Sequence, residues 1–366
     1  MNVAILTFQF AHNYGALLQA YALKTYLQNH NMNAEIAPYY PDWARAEYAI
    51  SPFAKGVPPK RRVRLALQYF KRKKQSRVFS RFIEEELKVN DAISEQKELV
   101  IWLDHHDCVI CGSDQIWNNN ITGDSSAYYA GGCKTRRISY AASLGTLQLT
   151  EVQKDNIKAN LPYFSKISVR EPSSAAKIAE MIQKEVRVVL DPVFLLKKDE
   201  WRKIAKSVNV ESNYVLLYFL QENEELLNFA KAYAQEHNLR IYDIHPTMSK
   251  KHSGCKRLNN VGPKEFVWLI QNASCVCTNS FHATAFSVIF EKKLIHIPNG
   301  KSPERTISLL NRAGLELKKQ GEFPFYDLSK CDSSSLYHEI SESKVFIENA
   351  LRREKNGDQD CNNDRR

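Results

Sequence analysis

Short apolar runs alternate with longer segments of helical periodicity along the chain. In the first half, the runs typical of strands are Val3–Thr7, Ala34–Ala37, Cys108–Cys111, Ile138–Ala141, Ile167–Val169 and Val186–Leu190. After a break at Asp191-Pro192, the rhythm restarts with Tyr214–Leu220, Arg240–Ile244, Cys275–Thr278 and Leu294–Ile297. Such alternation indicates parallel sheets covered by helices on both faces. The pattern therefore predicts an α/β fold of two domains, with a ligand-binding cleft between the carboxyl ends of their strands.

Length and composition agree with two globular domains. The chain has 366 residues, which exceeds one ordinary core, and it is 43% hydrophobic and 25% charged. We expect an N-terminal domain over residues 1–192, a C-terminal domain over 193–340, and a final helix with a disordered polar tail over 341–366. No basic segment precedes the first apolar run, and no stretch of about 18 apolar residues occurs. We therefore expect a cytoplasmic protein.

One local segment carries the excess positive charge. The net charge is +10, and ten basic residues and no acidic residue lie between Lys60 and Arg81. Val63, Leu67 and Phe70 recur there at helical spacing, so we expect a basic helical insertion over residues 60–88. Three interpretations compete: a solvated helix, a surface for an anionic membrane or a lipid-linked substrate, and a nucleic-acid site. No known nucleic-acid motif accompanies the charge, so we expect no nucleic-acid partner.

Thiol and metal chemistry have little support in the sequence. The eight cysteines show no disulfide framework of spacings, which favours reduced thiols. Cys108 and Cys111 lie three apart in a strand and therefore point to opposite faces. Asp104-His-His-Asp107 and the tail triplet Asp358-Gln-Asp360 contain ligand-type residues without further partners. We expect no metal site.

The segment from Ser274 to Phe290 contains the clearest candidate site. A buried strand ends in polar residues that include Asn279, and Ser280 is a suitable N-cap for an apolar helix. His282 falls in the first turn of that helix, beside free backbone N–H groups that suit an anion. A histidine at this place can transfer protons near neutral pH. The alternative is a histidine that only packs inside a buried helix.

Polar residues follow other predicted strands in the same way. They are Asn13 and Gly15 after the first strand, Ser113, Asp114 and Gln115 after Cys108–Cys111, Ser143 after Ile138–Ala141, and Arg170 after Ile167–Val169. Each alone is compatible with ordinary capping and turns. Their recurrence at successive strand ends favours the polar rim of an active site.

The order of these motifs resembles the polysaccharide pyruvyl transferase family, from near the first residue to about residue 315. The matching pieces include Asn13-Tyr-Gly-Ala-Leu-Leu-Gln, Cys111-Gly-Ser-Asp-Gln-Ile-Trp-Asn118, Tyr140-Ala-Ala-Ser-Leu-Gly145, Ser168-Val-Arg-Glu-Pro172, Leu190-Asp-Pro-Val-Phe194 and Thr278-Asn-Ser-Phe-His-Ala283. The resemblance implies two Rossmann-like domains facing across a cleft, as in glycosyltransferase-B enzymes. It also implies transfer of pyruvate from phosphoenolpyruvate onto two hydroxyls of a sugar in capsular or exopolysaccharide biosynthesis, with release of phosphate.

The resemblance assigns Arg170 and His282 to the phosphoenolpyruvate site. Family members with Arg-Leu-His in the last motif have an arginine where this chain has Ser280, and Arg305 is the best replacement by position. We predict that His282 and Asp114 are catalytic and that Arg170, Asn279, Ser280 and Arg305 bind the donor. The predicted acceptor residues are Asn13, Gly15, Ser113, Gln115 and Ser143.

The expected partners are phosphoenolpyruvate as co-substrate, a sugar or lipid-linked oligosaccharide acceptor, and an anionic membrane surface through Lys60–Arg81. No cofactor beyond the co-substrate is expected. Two alternatives remain: a nucleotide-sugar-dependent glycosyltransferase of the same architecture, and a glycan-binding module without catalysis.

Overall fold

The computed structural model describes residues 1–54, 56–245, 251–298, 303–320, 323–326 and 333–352. The predicted disordered tail and Asp358-Gln-Asp360 lie outside these residues. The strands are β1 Asn2–Leu6, β2 Asn33–Ile36, β3 Cys108–Cys111, β4 Arg137–Ser139, β5 Phe164–Lys166, β6 Ser168–Val169, β7 Arg187–Val188, β8 Tyr214–Tyr218, β9 Arg240–Ile244, β10 Lys256–Arg257, β11 Cys275–Thr278, β12 Lys293–His296, β13 Leu317–Gln320 and β14 Phe323–Tyr326.

Helices connect most of these strands, as the alternation predicts. They are α1 Tyr14–Asn29, α2 Asp42–Glu47, α3 Pro59–Phe82, α4 Gln96–Asp104, α5 Asn119–Thr122, α6 Glu151–Asn160, α7 Pro172–Ile182, α8 Lys198–Ile204, α9 Glu224–Glu236, α10 Pro263–Asn272, α11 Phe281–Ile289, α12 Pro303–Arg312 and α13 Ser333–Leu351. A π-helical turn, Ile83–Leu87, continues α3.

The strands of the N-terminal half form a parallel sheet. Among the described residues its order is β2-β1-β3-β4-β5, with β6 and β7 paired beside it. β1 and β3 are buried along almost their full length. Because helices cover both faces, these strands read as nearly continuous apolar runs and not as alternating ones. A parallel sheet in this half is confirmed, but β5 was not predicted, and the predicted strands Ile167–Val169 and Val186–Leu190 appear as the separate pair β6 and β7.

A second sheet contains the strands of the C-terminal half. Its order in the described chain is β10-β9-β8-β11-β12-β14-β13. The strands from β10 to β12 are parallel, whereas β14 and β13 run antiparallel at the edge. The apolar runs of the sequence predicted β8, β9, β11 and β12, whereas β10, β13 and β14 were not predicted.

The two halves share one hydrophobic cluster. Tyr14, at the start of α1, stacks on Phe266 of α10 with ring centroids 4.5 Å apart, and its hydroxyl donates to the Val261 carbonyl at 3.2 Å. The last helix, α13, returns to the first half, where the Leu190 N–H donates to the Ser343 hydroxyl at 2.9 Å. These contacts fix the position of the first sheet relative to the second.

Helix α3 has the predicted position, but its apolar stripe faces outward. Val63, Leu67 and Phe70 are 65%, 85% and 84% exposed. Leu65, Phe79 and Phe82 are the apolar residues of this helix that are buried. Within the described part of the chain, none of the helices combines the length and apolar character that crossing a membrane requires.

Candidate active site

A small cavity of about 80 Å³ lies between the two domains, at the carboxyl ends of β3 and β11. Asn13, Asp114 and Gln115 line it from the first domain. The second domain contributes Leu220, Asn279, Ser280, Phe281, His282, Arg305 and Thr306. Seven of the eleven predicted site residues therefore meet here, although they come from distant parts of the sequence.

Two helix N-termini meet at this cavity. The Asn13 side chain caps α1, since its Oδ1 accepts hydrogen bonds from the N–H groups of Gly15 at 2.9 Å and Ala16 at 3.4 Å. Ser280 caps α11, where its hydroxyl accepts from the Ala283 N–H at 3.4 Å. Each helix places the positive end of its dipole at the cavity. The arrangement favours an anion between the domains.

Gly15 allows α1 to approach His282 closely. A Cβ atom at position 15 would lie 1.9 Å from His282 Nδ1, far inside van der Waals contact. Any residue with a side chain at this position would therefore displace the His282 ring. Gly15 does not line the cavity, but it determines where His282 lies.

His282 belongs to a buried charge network that sequence reasoning missed. Its Nε2 lies 3.5 Å from Asp191 Oδ2, and Asp191 also accepts from Arg170 Nη1 at 2.8 Å and from the Ser113 hydroxyl at 3.0 Å. Burial alone would raise the pKa of the Asp191 carboxyl, but the charges of His282 and Arg170 hold that pKa well below its usual range. The carboxylate stays ionised and positions the His282 ring.

The signal for Asp191 was present in the sequence. It follows the predicted strand Val186–Leu190 directly and belongs to the quoted motif Leu190-Asp-Pro-Val-Phe194. An acid before a proline is also a common turn former, so the sequence alone does not distinguish a functional Asp191 from a structural one. Its role depends on a histidine 91 positions further along the chain.

The two predicted donor arginines lie in different electrostatic surroundings. Arg170 is buried and paired with Asp191 and with Glu171, whose Oε1 lies 3.3 Å from Arg170 Nε. Arg305 lines the cavity, and no carboxylate of the described residues lies within salt-bridge distance of it. Burial and the nearby Arg170 charge lower the pKa of Arg305. Among the residues that the structure describes, Arg305 Nε finds no hydrogen-bond partner.

Several predicted residues hold the site together from behind the cavity wall. The Ser143 hydroxyl donates to Glu171 at 2.9 Å, and Ser113 is fully buried against Asp191. Asn279 lines the cavity, but its amide is used by the loop after β8, through Leu220 N–H at 2.8 Å and the Gln221 carbonyl at 2.7 Å. The predicted binding roles of these residues stay predictions.

Asp114 has an uncommon backbone conformation at the edge of the cavity. Its φ is 73°, in the left-handed region, and its Oδ1 accepts from the Gln115 N–H at 2.9 Å. Aspartate tolerates this region better than most residues, yet the conformation still costs free energy. The turn after β3 presents the carboxylate at the cavity where His282 and Arg305 lie.

A larger groove of about 930 Å³ opens on the first domain. Phe10 and Tyr40, whose rings stack at 4.9 Å, line it together with His12 and Tyr48. His12, which lines the groove, directly precedes Asn13, which lines the cavity. Burial raises the pKa of Tyr48 most, and the nearby charge of Asp114 raises it further. The groove therefore lies near the cavity.

The described residues contain no group of three or more histidine, cysteine, aspartate or glutamate side chains with metal-binding geometry. Cys108 and Cys111 belong to separate hydrophobic clusters on opposite faces of the first sheet, as predicted. Asp104 instead accepts hydrogen bonds from the N–H groups of Lys134 at 2.8 Å and Thr135 at 3.0 Å.

The two domains are Rossmann-like and face one another in the glycosyltransferase-B arrangement. The chain is similar in fold to a UDP-GlcNAc 2-epimerase from Neisseria meningitidis bound to UDP-GlcNAc, with 13% identity, coverage of 96% of this chain and 100% of that one, and a TM-score of 0.52. The UDP-GlcNAc 2-epimerase from Methanocaldococcus jannaschii has 13% identity, coverage of 95% and 100%, and a TM-score of 0.49. At this identity the similarity is one of fold alone.

The family follows from the sequence. The chain belongs to the polysaccharide pyruvyl transferase family, whose model matches residues 13–301. The match includes Asn13, Asp114, Arg170, Asp191 and His282. No curated protein matches the sequence.

Proposed function

We propose that the protein transfers the pyruvyl group of phosphoenolpyruvate to two hydroxyls of a sugar during capsular or exopolysaccharide biosynthesis. The observation that carries this proposal is the half-buried Arg305, whose Nε finds no hydrogen-bond partner among the described residues, beside His282 in a cavity at two helix N-termini. The donor has a carboxylate and a phosphate, and arginine and helix N-termini bind both groups well. Membership of the polysaccharide pyruvyl transferase family supports the same transfer.

The proposed reaction needs one proton donor and a base. A proton adds to the methylene carbon of phosphoenolpyruvate, and the neighbouring carbon becomes an oxocarbenium-like centre. One sugar hydroxyl attacks this centre and loses its proton. The bond to the phosphate oxygen then breaks, the second hydroxyl attacks and loses its proton, and the departing phosphate takes up one of the two protons. The products are a cyclic ketal and phosphate.

The proposed roles follow from the positions of the side chains. His282 donates and accepts protons, while Asp191 holds its ring at 3.5 Å. Arg305 and the N-terminus of α11 bind the donor anion. Asp114, on the first-domain side, orients or deprotonates the acceptor hydroxyl. Asn13 and Gln115 line the same side of the cavity and are proposed to contact the acceptor.

The large groove is the proposed acceptor site. Phe10, Tyr40 and Tyr48 offer aromatic surfaces along it, and aromatic rings combine a broad apolar face with polar edges. A sugar chain that lies in the groove reaches the cavity beside Asn13 and Asp114. The groove is large enough for several sugar units of an oligosaccharide.

The outer face of α3 is proposed to bind an anionic membrane. Val63, Leu67 and Phe70 are exposed there, and Lys60, Lys71 and Lys74 are exposed on the same helix. Exposed apolar side chains among basic ones are typical of helices that lie on membrane surfaces. Each basic residue near such a surface contributes on the order of 1 kcal/mol. A lipid-linked acceptor would be presented at the same surface.

Vesicle co-sedimentation tests the membrane proposal. Binding should require anionic lipid, weaken as salt rises, and disappear in the variant Leu67→Ser with Lys71→Glu and Lys74→Glu. The variant Ile101→Ser, which removes an exposed apolar residue of α4, is the matched control and should bind as the wild type does. Equal binding to neutral vesicles, or none to anionic ones, would leave α3 as a solvated helix.

Phosphate release from phosphoenolpyruvate tests the enzymatic proposal. The protein is assayed with galactose-, mannose- and glucose-type acceptors, both free and lipid-linked. Release that depends on one acceptor supports pyruvyl transfer. Release of a nucleoside diphosphate from a nucleotide sugar would instead support a glycosyltransferase, and tight glycan binding without turnover would support a binding module.

A further inference from the structure

A second pocket, of about 270 Å³, lies between α3 and residues 47–50 at the end of α2, with His12 beside them. Helix α3 contributes the half-buried Arg61 and Arg72 and the exposed Arg64, and His12 and Tyr48 lie on the opposite wall. This pocket is distinct from the cavity that contains His282 and Arg305. It shares His12, Tyr48 and Ser76 with the aromatic groove, so the two spaces adjoin.

The pocket has more positive charge than its own residues neutralise. Glu47 is the one carboxylate along its described wall, and it pairs with Arg61 at 3.0 Å. Arg72 donates to Gln68 Oε1 at 3.0 Å, and no described carboxylate lies within salt-bridge distance of Arg64 or Arg72. Burial, and then the charges of Arg64 and Arg61, lower the pKa of Arg72. Three arginines against one glutamate leave two positive charges for a ligand to balance.

The walls of the pocket are held in place by specific contacts. The His12 ring packs on Phe79 with centroids 5.4 Å apart, and its Nε2 lies 3.3 Å from the Ser76 hydroxyl. The pKa of His12 is lowered to about 4, mainly by burial and then by Arg72, so the ring is neutral near pH 7. The positive charge of the pocket therefore comes from arginine, whose planar fork matches phosphate oxygens.

We propose that Arg61, Arg64 and Arg72 form a subsite for a phosphate or diphosphate group of the sugar acceptor. The inference rests on the proposed function in taking the acceptor to be a sugar that lies in the aromatic groove. The phosphate of the acceptor then occupies the arginine pocket, while the hydroxyls of the acceptor reach the cavity beside Asn13. The arginines of α3 that line the pocket thus select the acceptor, whereas Val63, Leu67 and Phe70 of the same helix are exposed.

Calorimetric titration of the full-length protein with inorganic diphosphate tests the subsite. The variant Arg305→Gln serves as background, because it weakens anion binding in the donor cavity. Adding Arg72→Gln should weaken diphosphate binding by about tenfold or more, as expected for loss of a charged hydrogen bond. Arg77→Gln removes the same charge from an exposed position of the same helix and should leave the affinity nearly unchanged. An equal loss of diphosphate affinity in the Arg72→Gln and Arg77→Gln variants, or no diphosphate binding to Arg305→Gln itself, would overturn the proposal.

Two further experiments distinguish a sugar phosphate from a lipid headgroup as the ligand of the arginine pocket. A soluble hexose 1-phosphate should bind more tightly than the methyl hexoside, and Arg72→Gln should remove this preference. The same variant should still bind phosphatidylglycerol vesicles. If Arg72→Gln instead abolishes vesicle binding and keeps the preference for hexose 1-phosphate, the pocket binds lipid headgroups and the proposal is wrong.

The test is independent of catalysis. If diphosphate binds the arginine pocket but phosphoenolpyruvate releases no phosphate with any acceptor, the proposed transfer fails and the subsite stands. If transfer occurs with equal KM for phosphorylated and neutral acceptors in the wild type, the subsite fails and the transfer stands.

Discussion

Asp191 connects the charged residues of the candidate active site. It pairs with Arg170 at 2.8 Å and lies 3.5 Å from His282, and it is fully enclosed by protein. A buried carboxylate held between an arginine and a histidine keeps both side chains in fixed positions. Arg305 stands apart from this network, and its charge is therefore available to a ligand.

The role of His282 is tested by His282→Gln. Glutamine keeps a polar side chain of similar size but cannot transfer a proton near neutral pH. We expect normal donor binding by calorimetry and a loss of about 10²-fold or more in turnover. A variant that turns over at the wild-type rate would mean that His282 only packs inside the site.

The two donor arginines should respond differently to substitution. Arg305→Gln should weaken phosphoenolpyruvate binding by about 1.5–3 kcal/mol and leave the fold intact, because no described carboxylate forms a salt bridge with this side chain. Arg170→Gln should lower the free energy of unfolding by about 3–5 kcal/mol, because it leaves Asp191 and Glu171 without their cation. Urea unfolding and donor titration of both variants measure these effects. The same loss of stability in both would contradict the assignment.

The sequence predicted which residues lie at the site better than it predicted the ion pairs that these residues form. Asn13, Asp114, Ser280 and His282 were found because parallel strands bring their carboxyl ends to one edge of a sheet. The pairing of Arg170 with Asp191 could not be predicted, since it joins two strand ends that are separate in the sequence. Arg305 was predicted by position, and the structure places it at the cavity.

At the scale of elements, the contact between α1 and α11 joins the two domains at the active site. Gly15 lies in the first turn of α1, and His282 lies in the first turn of α11. The absence of a side chain at Gly15 lets both helix N-termini approach one anion site. The geometry of the site therefore depends on this one contact between helices.

Gly15→Ala tests this contact. Alanine favours a helix more than glycine does, by roughly 0.5–1 kcal/mol, but its Cβ would collide with His282 Nδ1. We expect lower turnover and lower stability in the wild-type background. In the background His282→Ala, the same change should no longer destabilise the protein, because the colliding ring is absent. Additive losses of stability in the two backgrounds would show that Gly15 and His282 are independent.

Some elements escaped prediction for physical reasons. β13 has the sequence Leu-Lys-Lys-Gln and shows no apolar alternation, and it is a strand because it pairs with β14 at the edge of a sheet. The stripe of Val63, Leu67 and Phe70 predicted helix α3 correctly. Periodicity alone does not say whether such a stripe faces the core or the solvent.

At the scale of the whole molecule, buried histidines make stability sensitive to acid. His296 is buried, its Nδ1 lies 2.9 Å from the Thr278 carbonyl, and its Nε2 lies 3.0 Å from the Thr306 hydroxyl. Burial lowers the pKa of His296 to about 4. In the pH range between about 4 and the unfolded-state pKa of about 6.5, His296 binds a proton in the unfolded chain but not in the folded protein. Stability is therefore complete above about pH 6.5 and falls as the pH drops toward 4.

Urea unfolding at pH 5, 6 and 7 measures this effect. His296 should contribute a loss of about 1.4 kcal/mol per pH unit within that window. His296→Gln removes the titrating group, and its stability should fall less steeply with acid. His105→Gln changes an exposed histidine and should leave the slope unchanged. An unchanged slope in His296→Gln would contradict the assignment.

The fold as a whole was predictable because the chain repeats one unit. Alternating strands and helices with a break at Asp191-Pro192 predicted two parallel sheets, and both were found. The packing of the two domains was not predictable. It depends on contacts such as Tyr14 on Phe266, between residues that are 252 positions apart.

The proposed transfer of a pyruvyl group from phosphoenolpyruvate to a sugar is tested most directly by following the transferred carbon. Phosphoenolpyruvate labelled with an NMR-active isotope at its second carbon is incubated with the protein and the acceptor that stimulates phosphate release. We expect the label to appear as a ketal carbon bonded to a methyl group and two sugar oxygens, with one phosphate released per label. Label found only in free pyruvate, or left in phosphoenolpyruvate while a nucleotide sugar is consumed, would contradict it.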